Sequence, residues 1–242
     1  MMERLFAWLG GALFVASLTY CAYSYLFVWG QPWNPAFDLH VIDTFDVGRH
    51  QFNPVASLAL NTLLVGLFAA HHSVLARETV KARLARAVPE RLLRPVYTWT
   101  ASTLFILVCA LWRPVGGEIY HFTGWRAVAH ACVQLGGVLI IALSVRAIDP
   151  LELAGIRTPQ TREALQITGP YRWVRHPLYL GWMLAVFGAA HMTGDRFAFA
   201  VTTSLYLVIA VPWEERSLRD SFGQDYLAYM RRVRWRIVPY VF

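Results

Sequence analysis

Long apolar runs alternate along this chain with shorter polar and basic segments. Four runs reach the length of about 20 residues that a helix needs to cross a bilayer core: Leu5 to Val28, Val55 to Ala76, Leu92 to Trp112, and Ala127 to Val145. A fifth run, Leu178 to Trp213, is too long for one helix and is interrupted at His191–Arg196. It predicts a helical hairpin whose two arms are short for full spans.

The backbone of these runs must satisfy its hydrogen bonds internally, which at membrane depth favours helices. The pattern therefore predicts an all-α, polytopic membrane helix bundle of five to six spans, the last two forming the hairpin. Beyond the hairpin, Leu218, Phe222 and Tyr226 recur at a spacing of four. This spacing predicts a cytoplasmic C-terminal amphipathic helix in contact with membrane lipid.

Composition supports an integral membrane protein, since 57% of the 242 residues are hydrophobic. The net charge of +7 follows the predicted topology. Six Lys and Arg residues fall in Arg77–Arg94, five in Arg146–Arg175 and six in Arg216–Arg236; with Arg4 these make 18 of the 22. Six spans with both termini in the cytoplasm place all 18 on the cytoplasmic side. The basic excess is thus explained without nucleic acid, and no metal site is predicted.

The densest polar segment runs from Gly169 to Gly181. Besides Pro170 and Pro177, it contains two tyrosines, two arginines and a histidine: Tyr171, Arg172, Arg175, His176 and Tyr179. Proline fixes its own φ and biases the preceding residue away from helix, so the segment predicts a shaped loop that passes into a helix at Pro177. The N–H groups of that helix start could bind an anionic ligand group. The alternative is a basic loop that holds a helix at the membrane surface.

The predicted hairpin returns its second arm to the level of Arg175 and His176, opposite Glu214 and Glu215. Two adjacent carboxylates are costly to bury. They are tolerable if Arg175 pairs with one while the other is held for a ligand. A clamp that simply ties the base of the hairpin is the alternative interpretation, and both could hold.

Two separated motifs and the segment that follows them carry a family resemblance. Arg175-His176-Pro177-Leu178-Tyr179-Leu180-Gly181, followed by Glu214-Glu215, Phe222-Gly223 and Tyr226, resembles the isoprenylcysteine carboxyl methyltransferase-like membrane methyltransferases. The resemblance implies a cytosol-facing pocket for S-adenosylmethionine, bound by Tyr171, His176, Tyr179, Gly181, Glu214 and Glu215. Tyr171 or Tyr179 would offer an aromatic face to the sulfonium.

The front half narrows the resemblance. His71-His72-Ser73-Val74-Leu75-Ala76-Arg77, with Trp112-Arg113-Pro114 after the third run, is similar to the branch that contains bacterial methanethiol S-methyltransferase and relatives associated with nitric-oxide-reductase operons. This branch implies a bacterial inner-membrane enzyme that methylates a small thiol, methanethiol, to dimethyl sulfide. It also implies a single domain, 1–242, with a four-span substrate half (1–145) and a cofactor-binding half (146–242).

A thiol must lose its proton before it attacks the sulfonium methyl, because the thiolate is the nucleophile. The candidates for catalytic residues are His72, Asp149 and Arg175. His72 closes the second span, where an ionisable side chain indicates function, although an interfacial or helix-capping histidine is the alternative. Five residues could enclose a methylthio group, unless they serve packing: Tyr20, Ser24, Trp29, Tyr97 and Trp99.

Two further functions fit the same sequence. One is methylation of a larger lipophilic acceptor, a prenylcysteine carboxylate or a lipid amine, which would need a lateral opening between spans. The other is a non-catalytic membrane partner of a respiratory complex. Binding of S-adenosylmethionine would separate this last function from the two enzymatic ones.

Overall fold

The computed structural model describes residues 2–31, 53–75, 80, 83–86, 89–148, 150–156 and 165–242. The chain divides into two compact units. Unit 1 comprises residues 1–120, 154–158 and 191–202, and unit 2 comprises residues 121–153, 159–190 and 203–242.

Unit 1 contains three long helices: α1 (Met2–Tyr23), α2 (Pro54–Leu75) and α3 (Glu90–Ala110). A π-helical turn, Ser24–Val28, extends α1. Helix α2 begins where the sequence supplies an N-cap, because Asn53 Oδ1 accepts hydrogen bonds from the Val55 and Ala56 amides at 3.0 and 3.3 Å, and Pro54 occupies the first helical position. Both α1 and α2 pack against α3.

Unit 2 is organised around α4 (Gly124–Ile148), which packs against α6 (Pro177–Phe187). Between them lie a single helical turn, α5 (Pro150–Leu153), and a 3₁₀ turn, Gly169–Arg172. Helix α7 (Gly194–Phe222) contributes its residues up to 202 to unit 1 and the rest to unit 2. Gly223, at φ 55°, ends α7 in the left-handed region that favours glycine, and α8 (Gln224–Arg232) follows.

Five helical segments among the described residues are long and apolar enough to cross a membrane: Met2–Val28, Pro54–Leu75, Arg91–Ala110, Gly124–Ile148 and Gly194–Phe222. The predicted helical bundle of five to six spans is confirmed. Of the two predicted hairpin arms, only the first is short. Helix α6 has 11 residues, whereas α7 has 29 and continues through the two glutamates. The apolar run ends at Trp213 but the helix does not, because glutamate and arginine are good helix formers.

A small sheet is an exception to the all-α prediction. Strands β1 (Glu118–His121) and β2 (His191–Thr193) pair with each other. Strand β2 and the start of α7 are the segment that interrupts the fifth apolar run. The following Asp195 is buried and accepts hydrogen bonds from the Trp112 indole and the Val115 amide, both at 2.8 Å. The polar interruption is therefore a structural tie within unit 1.

The predicted amphipathic helix is divided at Gly223. Tyr226 and Tyr229 of α8 form a buried cluster with Val233, and Leu218 and Phe222 of α7 pack against it. The spacing of four correctly identified one apolar face, but this face packs inside unit 2. A position of α8 on the membrane surface remains a prediction.

Candidate active site

The loop before α6 is fixed by backbone hydrogen bonds to residues 235 and 236. The Arg175 amide donates to the Trp235 carbonyl at 2.9 Å, and the His176 amide donates to the Arg236 carbonyl at 2.8 Å. Helix α6 begins at Pro177, as predicted. The Arg175 and His176 amides precede this helix and already have protein acceptors, so anion binding by the amides of the helix start itself remains a prediction.

Glu215 is the buried centre of a charged cluster in unit 2, with only 1% of its surface exposed. The Arg175 Nε group donates to Glu215 Oε1 at 2.7 Å, and Arg236 Nε lies 3.3 Å from Oε2. A buried carboxylate is tolerated when charged donors satisfy its oxygens. The predicted pairing of Arg175 with one of the two glutamates thus occurs at Glu215.

Glu214 occupies the more open side of the cluster, and 36% of its side chain is exposed. The Tyr179 hydroxyl donates to Glu214 Oε1. Glu214 Oε2 lies 3.5 Å from His176 Nδ1, and the imidazole stacks on the Tyr179 ring with centroids 5.3 Å apart. Glu214 is therefore the glutamate that an incoming ligand can reach.

His176 lies between the two carboxylates. Its Nε2 atom is buried, lies 3.6 Å from Glu215 Oε1 and forms no hydrogen bond to any described residue. Burial alone would lower the pKa of His176, but Glu214 and Glu215 outweigh that effect and raise this pKa above its ordinary value. A protonated His176 therefore directs Nε2–H toward Glu215 Oε1 and Nδ1–H toward Glu214 Oε2, and both carboxylates stabilise its positive charge.

Aromatic side chains complete the described surroundings of the glutamates. Tyr171 is buried in the 3₁₀ turn, and its carbonyl accepts a hydrogen bond of 2.7 Å from the Tyr229 hydroxyl. Burial, with a contribution from the Glu214 charge, raises the pKa of Tyr171 to about 12, so its phenol stays neutral. The cluster combines a reachable carboxylate with neutral aromatic rings, a combination that suits a cationic ligand group.

Two predicted site residues have contacts that serve the fold. Arg175 is buried and donates from Nη1 to the Val233 and Arg234 carbonyls at 2.8 and 2.7 Å, in addition to its bond to Glu215. Three of its N–H donors are thus used within the protein, and its catalytic role remains a prediction. A Cβ atom on Gly181 would lie 2.8 Å from the Gly137 carbonyl oxygen. The missing side chain of Gly181 therefore allows α6 to approach α4 and does not face the charged cluster.

Unit 1 brings together His72 and Tyr97 from different helices. The Tyr97 hydroxyl and His72 Nδ1 share a hydrogen bond of 2.5 Å. His71 also stacks on the phenol, at a centroid distance of 5.5 Å, with no hydrogen bond from either ring nitrogen to a described residue. The sequence placed Tyr97 in the substrate wall and His72 among the catalytic candidates, and the structure joins them in one polar group.

The remaining wall residues do not surround one small cavity. Trp99, near the middle of α3, donates from Nε1 to the Phe6 carbonyl at 3.0 Å, near the start of α1. Trp29 is buried against Trp112 and Phe199, with centroids 4.9 and 4.8 Å away, at the end of α3. At about 1.5 Å per residue, the 13 positions from Trp99 to Trp112 span roughly 20 Å.

The other wall residues lie on the same side as Trp29. Tyr20 is half-buried near the end of α1, and Ser24 is buried in the π-helical turn that follows. A methylthio group could contact the Tyr97 end or the Trp29 end of this set, but not both. The last catalytic candidate, Asp149, lies outside the described residues.

Sequence reasoning missed the part of the cluster that comes from residues 233–242. Arg236 was counted only as one of six basic residues near the cytoplasm, and the carbonyls of Val233 to Arg236 carry no sequence signal. Only the fold shows that they contact Arg175, His176 and Glu215.

Comparison with known proteins defines the class to which this fold and site belong. Residues 126–225 match the family model described as phospholipid methyltransferase. This range contains both motifs of the charged cluster. Together with the five long apolar helices, the match identifies an integral membrane methyltransferase.

Similarity to individual proteins extends further along the chain. Methanethiol S-methyltransferase 2 of Bradyrhizobium diazoefficiens is 33% identical over 207 residues, covering 82% of this chain and 79% of that protein. Methanethiol S-methyltransferase of Crocosphaera subtropica is 30% identical, covering 80% and 79%. Human protein-S-isoprenylcysteine O-methyltransferase is 35% identical over 72 residues, covering 28% and 25%. No solved structure matches the chain.

The chain therefore belongs to the methanethiol S-methyltransferase family of membrane methyltransferases. An alignment of 207 residues cannot fit within unit 2 and must include much of unit 1. The similarity to the isoprenylcysteine enzyme is confined to about a quarter of the chain.

Proposed function

We propose that this protein transfers a methyl group from S-adenosylmethionine to methanethiol and produces dimethyl sulfide. The observation that carries the choice of acceptor is the extent of the similarity: relatives named for methanethiol align over about four fifths of the chain, including unit 1. The isoprenylcysteine relatives align over about a quarter.

The charged cluster of unit 2 fits the proposed methyl donor. S-adenosylmethionine carries an ammonium, a carboxylate and a sulfonium, and when bound it supplies a methyl group that a thiolate can accept. Glu214 would accept a hydrogen bond from the ammonium, and the positive charge of a protonated His176, 3.5 Å from Glu214, would favour the ligand carboxylate. Tyr171 and Tyr179 would bind near the cation through their ring faces. Glu215 would hold this arrangement without contacting the ligand.

We propose that His72 acts as the general base that accepts the proton of the thiol. Methanethiol must be deprotonated to react, and an ordinary thiol has a pKa near 8.5 or above. The hydrogen bond between the Tyr97 hydroxyl and His72 Nδ1 fixes the orientation of the imidazole. In the tautomer in which Nδ1–H donates to the Tyr97 oxygen, Nε2 is the nitrogen that would accept the thiol proton. Methyl transfer removes both the negative charge of the thiolate and the positive charge of the sulfonium. A site whose side chains exclude water therefore favours this step.

The topology completes the proposal. The distribution of Lys and Arg supports both termini in the cytoplasm. The bacterial relatives support a location in a bacterial inner membrane. The charged cluster joins the loop before α6 to Glu214 and Glu215 within α7, next to the basic residues 231–236, which supports a site that opens to the cytosol. S-adenosylmethionine and a diffusing thiol would both reach such a site.

Two measurements on the detergent-purified full chain test this function. Isothermal titration calorimetry should show binding of S-adenosylmethionine, and headspace gas chromatography should show dimethyl sulfide after methanethiol is added. The description of the matching family favours one second candidate, methylation of a phospholipid amine. Transfer of a labelled methyl group to extracted lipid, with no dimethyl sulfide, would support that candidate and refute methanethiol as the acceptor.

A further inference from the structure

Residues 233–242 form a folded segment in unit 2 that is not helical and that contacts both motifs of the charged cluster. Two carbonyls of this segment accept hydrogen bonds from the Arg175 side chain, and the next two accept from the Arg175 and His176 amides. Four hydrogen bonds therefore tie the segment to the loop before α6. The fifth contact is charged, because Arg236 Nε lies 3.3 Å from Glu215 Oε2.

The same segment folds back on itself at Phe242. The amides of Arg236, Ile237 and Val238 donate to the Phe242 oxygen at 2.9, 2.9 and 3.2 Å, and the Phe242 amide donates to the Val238 carbonyl at 3.0 Å. Three consecutive amides thus donate to one acceptor, which fixes the backbone conformation at Arg236. Tyr240 adopts a φ of 65° in this turn, a conformation uncommon for residues other than glycine.

The Phe242 ring orients the Arg236 side chain. The guanidinium carbon of Arg236 lies 5.1 Å from the centre of the Phe242 ring, a distance typical of a cation–π contact. The Arg236 side chain is 37% exposed, so without this contact solvent would compete for its guanidinium. The ring therefore selects the orientation in which Arg236 reaches the buried carboxylate.

We propose that Phe242 and Arg236 are positioning residues for the methyl-donor site, which they hold in shape through Glu215. This inference rests on the proposed function. Arg175 and Arg236 approach different oxygens of Glu215, so each limits how the carboxylate can rotate. A Glu215 that rotated away from Arg236 would change its distance to His176 and disturb the neighbouring Glu214 on the same helix. The segment would then affect ligand affinity although it does not touch the ligand.

The test compares Phe242→Ala, Phe242→Tyr and Val241→Ala in the full chain. Val241 is the matched control, since it lies in the same turn with 78% of its surface exposed. Calorimetry should show the dissociation constant for S-adenosylmethionine raised about tenfold in Phe242→Ala, the effect of losing one charged contact. Phe242→Tyr keeps the ring and should restore wild-type affinity, and Val241→Ala should retain it. Methanethiol turnover should show a raised KM for the methyl donor with kcat nearly unchanged.

The outcomes separate this inference from the function on which it rests. If the wild type binds no S-adenosylmethionine, the proposed function fails, and this inference fails with it. If the wild type binds but Phe242→Ala binds equally well, the positioning role alone is refuted. An equal loss in Phe242→Ala and Val241→Ala would also refute it, because it would reflect general loosening of the turn. Arg236→Gln provides a second route to the same contact and should match Phe242→Ala in affinity.

Discussion

Substitution by glutamine should lower stability mainly at Glu215 and ligand affinity mainly at Glu214. Glu215→Gln removes a buried charge that faces the arginines at 175 and 236, whereas Glu214→Gln removes a partly exposed one. Loss of one partner of a buried ion pair costs about 3–5 kcal/mol. The amide oxygen of glutamine can still accept a hydrogen bond from Arg175, so we expect the lower end, about 3 kcal/mol.

This loss is large enough to measure by thermal unfolding. For a chain of this size, each kcal/mol lowers the melting temperature by about 2–4 °C, which gives roughly 6–12 °C for Glu215→Gln. Glu214→Gln weakens a hydrogen bond at a partly exposed position and should cost about 1 kcal/mol or less. In calorimetry the order should reverse, with Glu214→Gln losing at least about tenfold in affinity for S-adenosylmethionine.

A double variant shows whether the cost comes from the unpaired arginine. If it does, Arg175→Met should destabilise the Glu215→Gln protein much less than it destabilises the wild type, since the two residues share one interaction. The assay is differential scanning fluorimetry of the purified proteins in one detergent. A Glu214→Gln protein less stable than Glu215→Gln would refute the assignment of the buried role to Glu215. Additive losses in the double variant would refute the pairing.

Three further predictions concern the histidines and the helix contact. Because the pKa of His176 is raised, its protonated form stabilises the fold below about pH 6.5, and this contribution is lost as the pH rises through the raised value. The difference in melting temperature between wild type and His176→Gln should therefore shrink from pH 6 to pH 9. A constant difference would contradict this prediction. His72→Asn should lower kcat/KM for methanethiol about 100-fold near pH 7 and less at pH 9, where the thiol ionises unaided. Tyr97→Phe should lower it about tenfold. A loss independent of pH would indicate that His72 serves packing and not proton transfer. Gly181→Ala should lower the stability of the fold by about 1–3 kcal/mol, because the new Cβ forces α6 away from α4. The control is Gly136→Ala on α4, where a new Cβ meets nothing within 4 Å. Equal stability of the two variants would exclude the close contact.

The helices and the pairing of the two motifs could be predicted from the sequence. Apolar runs of about 20 residues must form helices in a membrane, and this requirement depends on local composition alone. Arg175 and Glu215 were placed opposite each other because a chain that turns back after an apolar run returns to its starting depth. The helix start at Pro177 also followed from local chemistry, since proline suits the first helical turn.

The tertiary structure decided what each polar side chain does. Glu214 and Glu215 are the same residue type at adjacent positions, so the sequence does not distinguish them. The packing of residues 233–242 and of the loop before α6 buries Glu215 and leaves Glu214 accessible to a ligand. Arg175 was a catalytic candidate because an arginine near the pocket could help the thiol to lose its proton; its Nη1 group donates to carbonyls that lie 58 and 59 positions further along the chain. Such contacts leave no periodicity or spacing, because they depend on where the chain returns and which way each side chain points when it does.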